Sequence, residues 1–340
     1  MPRQKIVFTL CLALAVMTVS STALAQYQLR NLTSNQVGGA PHVDPLLVNA
    51  WGLARSAGSP FWLSDQGSGW STLYDGHGAP VPLQVVVPSA SGAGPGSPTG
   101  IVFNGSNDFQ IGGWNAFFLF ATLDGTISGW APQTNPNSAL ITVNNSAAGA
   151  VYTGLAITNK ASGNLIYAAD VANNKVDVYD GNFNFVKSFT DSTLPPGFTP
   201  FGIQDMGGFV YVTFADSTGG SGGTIDIFQE DGTFVRQLVT GKPLNQPWGM
   251  AVAPKNFGKF SNTLLVSNNT NFGTINAFNL ESGDFVGTVR DTNGKNITID
   301  QLWGIEFGGG TANNGRTNQL FFTAGPHGNR AGTFGLIAVK

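Results

Sequence analysis

Gly154-Leu155-Ala156-Ile157, then Asn164-Leu165-Ile166-Tyr167-Ala168-Ala169-Asp170, then Lys175-Val176-Asp177-Val178-Tyr179-Asp180-Gly181, then Phe185-Val186-Lys187-Ser188-Phe189. This stretch decides the reading of the chain. It holds four short runs rich in apolar residues, separated by Gly, Asn and Asp, and so predicts four strands joined by tight turns. The third run alternates, with Val176 and Val178 against Asp177, the period of a half-exposed strand. The second is apolar throughout up to its terminal Asp170, as a strand covered on both faces requires.

The same plan recurs six times. A glycine followed by an apolar residue opens each unit, at Gly52-Leu53, Gly100-Ile101, Gly154-Leu155, Gly202-Ile203, Gly249-Met250 and Gly304-Ile305, and successive glycines lie 48, 54, 48, 47 and 55 residues apart. Periods of this size mark a propeller or another repeat array. Second strands are expected near Phe61-Leu63, Phe117-Ala121, Leu165-Ala169, Phe209-Phe214, Leu264-Val266 and Leu320-Thr323. Third strands follow each of these, and five units end in a fourth, more polar strand. The sixth unit runs out of chain after its third strand, while Tyr27-Leu32 forms an orphan strand before the first unit. The expected fold is therefore all-β: a six-bladed β-propeller of four-stranded antiparallel blades, its ring closed by the N-terminal strand completing the last blade. A seventh glycine-apolar unit, which a seven-bladed ring would need, is not visible. The Gly/Ser/Pro tract from Ser89 to Pro98 reads as a surface loop.

The first 25 residues read as a signal peptide. Arg3 and Lys5 precede an apolar run from Ile6 to Val19, and Ala23-Leu24-Ala25 supplies an A-x-A cleavage pattern. Residues 26–340 are expected to form one domain, secreted or periplasmic, monomeric, with no membrane span once the signal is removed. Its only cysteine, Cys11, lies inside the signal, so the mature chain must be stable without disulfides. Removing Arg3 and Lys5 takes the formal net charge from −3 to −5, with no basic cluster, which argues against a nucleic-acid partner. High glycine (46 residues) and only 10% charged residues suit a chain of short strands and tight turns.

The unit from Gly154 to Tyr179 resembles the NHL repeat, and Pro200-Phe201-Gly202-Ile203 and Pro247-Trp248-Gly249-Met250 resemble it more loosely. Over its mature length the chain is similar to uncharacterised exported bacterial NHL-repeat-like six-bladed β-propeller proteins. That resemblance implies the fold and leaves function open, because such rings host binding modules, lactonases, lyases and dehydrogenases. In gluconolactonase-like propellers an acidic residue near the start of an inner strand holds the metal. Here Asn49-Ala50-Trp51-Gly52 has no acid at that place.

Candidate functional residues fall into two sets. Trp51, Thr99, Thr153, Phe201, Trp248 and Trp303 each precede a unit glycine, and propeller topology gathers them on one face with Asp65, Asp124, Asp170, Asp216, Asn268, Asn269 and His327. Trp51, Phe201, Trp248 and Trp303 are candidates for stacking on a sugar or another amphipathic ligand; alternatively the aromatics pack between blades and each Asp caps its own turn. The second set breaks a rule of the innermost strand. The second residue after the glycine is Ala54, Val102, Ala156 or Ala251 in four units, but Gln204 and Glu306 in the others, and Asp205 follows Gln204. Polar groups there must face channel water, a partner or a metal. Glu306 and Asp205 are accordingly the candidates for catalysis, and Gln204 joins the ligand-binding set.

With three histidines in the chain, a three-histidine zinc site is not expected. His42 and His327, with Glu306 and Asp205, are the metal-ligand candidates. No cofactor is evident, although a divalent metal such as calcium fits the available Asp, Asn and carbonyl oxygens. The function expected is an exported binding module for a small molecule, glycan or protein, with its site on the aromatic and Asp/Asn-rich face around the channel. A metal-dependent hydrolase or lactonase using channel carboxylates, and a structural cell-surface protein, are the alternatives.

Overall fold

A computed structural model describes residues 1–2 and 27–340; the expected signal segment, apart from its first two residues, lies outside the described residues. The chain forms a β-propeller of six blades. Blade 3 runs Tyr152–Ile157, Ile166–Asp170, Lys175–Tyr179 and Phe185–Phe189, paired antiparallel in that order. Blades 2, 4 and 5 repeat it, with inner strands Pro98–Phe103, Phe198–Met206 and Pro247–Val252. Blade 1 starts at Ala50–Ala54 and blade 6 at Leu302–Phe307. In blade 6 the strand Tyr27–Ser34 pairs antiparallel with Thr333–Val339, Leu29 opposite Ile337, and His42–Val43 adds a short parallel strand outside it. Among the described residues no helix is long and apolar enough to cross a membrane.

The core lies between blades rather than within a sheet. Phe61 and Leu63 pack towards blade 6, against Phe321 and Phe334, while Trp62 between them packs towards blade 2, against Phe118 and Phe120. Leu264 and Val266 likewise face blade 4, and Leu265 faces blade 6. Alternate side chains of one strand point to opposite faces of its sheet, so a second strand with a neighbour on both sides must be apolar throughout. That is the pattern in the sequence.

Each unit glycine answers to a close approach. The inner strands pass so near one another that a Cβ on Gly52 would stand 2.5 Å from the Thr99 carbonyl oxygen, and one on Gly249 2.6 Å from that of Trp303. The chain is irregular in pairing at these glycines, and hydroxyls take up the freed groups. The Gly202 N–H donates to Thr213 Oγ1 (2.8 Å), which donates onward to the Pro247 carbonyl of the next blade (2.7 Å). Ser267 does the same between Gly249 and Trp303, and Thr323 between Gly304 and Trp51. In blades 2 and 3 a threonine before the glycine, Thr99 or Thr153, donates to the neighbouring inner strand.

Blade 1 is less regular than its sequence predicts. Its third strand breaks at Thr72, whose N–H donates to the Asp65 carboxylate (3.2 Å), and its fourth is reduced to Val85–Val86. Pro80, Pro82 and Pro88 have no N–H to give to a ladder. Blade 2 carries a small hairpin, Gln110–Ile111 with Trp114–Asn115, that sequence analysis did not anticipate.

Candidate functional site

The axial channel has two unlike ends. At the end where the inner strands begin, Trp51, Trp248 and Trp303 pack into one another with Phe201 against them. Trp51 stacks on Trp303 with ring centroids 3.6 Å apart, and Trp248 meets both edge-on. All three tryptophans are buried, at 3–8% exposure. Trp248 donates to the Thr153 carbonyl and Trp303 to the Asn49 side chain, while Trp51 Nε1 is buried without a partner. The face sequence analysis expects as an aromatic mouth is thus a packed cluster whose ring faces are taken up by one another. Beneath it the channel narrows to a gap of 40 Å³ bordered by Trp248 and Gln204.

Four members of the loop set on that side accept backbone hydrogen bonds in turns and loops, while Asp124 Oδ2 is buried without a partner. Asp170 accepts from the Val151 and Asn173 N–H groups, Asp216 from Thr218, and Asn268 from Asn245. Asp65 is fully buried, accepting from Thr72, and burial with Asp44 nearby pushes its carboxyl well above the usual range.

At the other end, where the inner strands finish, a cavity of 480 Å³ opens on the axis. Two successive rings of side chains line it: the second residue after each unit glycine, and the third. Most are apolar. The polar exceptions are Glu306 in blade 6, Arg55 in blade 1, and Gln204 and Asp205 in blade 4. In a ring of six, blade 4 stands opposite blade 1, so the Arg55–Glu306 wall faces the Gln204–Asp205 wall across the cavity. Arg55 is held by the neighbouring blade: its Nε donates to the Phe307 carbonyl (2.8 Å) and lies 3.4 Å from Glu306 Oε1.

The carboxyls are tuned upward. Glu306, recessed among apolar walls yet 30% exposed to the cavity, is pushed up to about 8 by desolvation, with Arg55 opposing the shift. Asp205 rises to about 6, first through desolvation and then through repulsion from Glu230, with Lys160 opposing. Lys160 and Glu230 pair with each other. One Asp205 oxygen is buried without a hydrogen-bond partner.

The structure therefore divides the residues singled out from sequence. Glu306, Asp205 and Gln204 share the axial cavity; Trp51, Phe201, Trp248 and Trp303 close the opposite end. The metal-ligand candidates are also dispersed. His327 lines a separate hollow with Asp300, and His42 sits on the short strand outside blade 6. Among the described residues no group of three or more His, Cys, Asp or Glu is placed to hold a metal ion. Sequence analysis missed Arg55. Its signal was its offset, three residues after Gly52, the same as that of Asp205 after Gly202.

No known family profile matches the chain. A mimivirus protein, uncharacterized protein R648 of Acanthamoeba polyphaga mimivirus, is 31% identical over 336 residues, covering 93% of this chain and 81% of that one. The chain belongs to the family of R648. A second mimivirus protein, L690, is 31% identical over 306 residues, covering 83% of this chain and 79% of its own. Among solved structures the chain is similar to virginiamycin B lyase from Staphylococcus aureus (TM-score 0.56, 12% identity, 93% of this chain and 100% of that one). It is also similar to a gluconolactonase from Xanthomonas campestris (TM-score 0.56, 13% identity, 86% of each chain). These likenesses establish the propeller. They do not extend to the NHL repeat or the bacterial origin expected from sequence, since the relatives found are viral.

Proposed function

We propose that this chain is an exported propeller that binds a small polar molecule in the axial cavity between the Arg55–Glu306 wall and the Gln204–Asp205 wall. The observation that carries this reading is the placement of polar residues in the two lining rings. Within those rings they occur only on blades 6, 1 and 4, on two facing walls, and Asn159 of blade 3 adds a further polar group to a cavity of a size that suits a small ligand. The site is then at the opposite end of the channel from the tryptophan cluster. Screening a library of small polar metabolites by titration calorimetry tests it. A ligand found this way should lose at least about fivefold in affinity in Gln204→Ala, since one buried hydrogen-bonding group commonly contributes about 1–3 kcal/mol. A ligand that binds Gln204→Ala and Glu306→Gln as it binds the parent, but fails to bind Trp248→Ala, would return the site to the aromatic end.

A second reading, acid–base catalysis of the hydrolase or lyase kind, is favoured by the unequal carboxyls. At neutral pH Glu306 carries its proton and can donate it, while Asp205 has largely lost its own and can accept one. Such an enzyme should show a rate maximum between about pH 6 and about pH 8. Asp205→Asn should remove the acidic limb and Glu306→Gln the alkaline limb; a profile unchanged by both substitutions would sink this reading.

A further inference from the structure

Position 226 is a buried polar site on the third strand of blade 4, and its counterparts in the neighbouring blades show what it lacks. In blade 3 the equivalent Asp177 accepts from Ser188 (2.6 Å) and from Tyr152 (3.0 Å). In blade 5 the equivalent Asn276 accepts from Thr288 (2.8 Å). In each case a hydroxyl on the fourth strand satisfies the buried oxygen. In blade 4 the fourth-strand residue opposite is Gln237, and neither Asp226 oxygen is hydrogen-bonded, although the residue is 0% exposed.

Asp191, in the connection from blade 3, brings a second carboxylate within hydrogen-bonding reach of the first. Its Oδ1 accepts from the Thr193 N–H and hydroxyl, both at 2.7 Å, while its Oδ2 is buried and unpartnered. Thr190 Oγ1, one residue earlier, is also buried without a partner. No Lys, Arg or His among the described residues forms an ion pair with either carboxylate.

Two carboxylates placed together out of water require a positive charge between them. A proton shared by the pair, with the Gln237 amide N–H reaching the other Asp226 oxygen, is one answer. A cation between the carboxylates is the other, and it can engage all three free oxygens at once.

We propose that Asp191 and Asp226 form a binding site for a divalent cation, of which calcium is the best match because it accepts carboxylate, amide and hydroxyl oxygens in irregular geometry. The site lies between blades 3 and 4, away from the axial cavity, and would fasten the two blades together. Carboxylates must be free of protons to hold a cation, so cation binding competes with a proton and strengthens as pH rises.

The test is calcium titrated into the chelator-stripped mature chain, read by calorimetry and by melting. One equivalent should bind, raising the melting temperature, with tighter binding at alkaline than at mildly acidic pH. Asp226→Asn should weaken binding at least about tenfold, yet melt no lower than the parent in chelator, because its amide can donate to Asp191. Asp191→Asn serves as the second variant if that one does not fold. Glu306→Gln must leave binding unchanged, which separates this site from any metal in the channel. The proposal is overturned if the parent shows no calcium response, or if its stability varies with pH identically with and without calcium, the mark of a shared proton alone. An unchanged response in a folded Asp226→Asn would overturn it equally.

Discussion

At the scale of single residues the channel carboxyls make a prediction with a definite sign. Glu306 has an ordinary value of 4.5 and is held up to about 8 in the fold. Between those values the folded chain keeps a proton that the unfolded chain releases, so this residue's contribution lowers stability as pH rises through that window and levels off above it. Glu306→Gln should therefore match the parent near pH 4.5 and exceed it by about 1–2 kcal/mol above about pH 8, the full shift being reduced by cavity water and Arg55. Denaturant unfolding of both proteins across that range checks this, and parallel pH curves would refute it. Glu306 and Gln204 were legible in the sequence because each breaks a six-fold pattern of small or apolar residues. Arg55 carried the weaker signal of its offset from Gly52, and its pairing with Glu306 waits until the ring brings blades 6 and 1 together. The tryptophans show the converse. Their recurrence before the glycine was plain, but whether three rings at one register face solvent or one another depends on the width of the channel.

Among the strands, the bond between blades runs through a few hydroxyls. Thr213 accepts from Gly202 and donates to Pro247. Thr213→Val keeps the shape and strands both groups, which should cost about 2–4 kcal/mol, taking about 1–2 kcal/mol for each buried unsatisfied group. Chemical denaturation measures it; a loss below the low end would mean that the strands relax to re-pair. Gly202→Ala is expected to be worse, since its Cβ would collide with the Trp248 carbonyl oxygen, part of the backbone. Overpacking against a neighbouring strand leaves no side chain to move aside, so a loss above about 4 kcal/mol, or failure to fold, is expected by thermal melting. The glycines were visible as a period in the sequence. The linking hydroxyls were hidden inside apolar runs, where Thr213, Ser267 and Thr323 look like ordinary β-branched or small strand residues.

For the whole molecule, the N-terminal strand joins distant parts of the chain. Tyr27 is 1% exposed; its hydroxyl donates to the Phe257 carbonyl (2.8 Å), its backbone N–H donates to Arg290, and its strand covers Thr333–Val339. Tyr27→Ala should lower stability by about 3–5 kcal/mol, as for other large aromatic truncations in a core. Removing residues 27–34 should expose the edge at 333–339 and drive association, seen as loss of the monomer peak in size-exclusion chromatography; a monomeric, equally stable truncation would show that the last blade stands without it. Composition and periodicity by themselves determined the number of blades, the strands of most of them, and the outer partner of the last one. Those features repeat every 47 to 55 residues and depend on local turns and on alternation, which a linear sequence records directly. Only the tertiary structure decided which end of the channel is open, that the tryptophans fill the other, and that Arg55 and Asp205 line one cavity. These relations join residues that are far apart in sequence, and they are set by how closely six inner strands approach one axis.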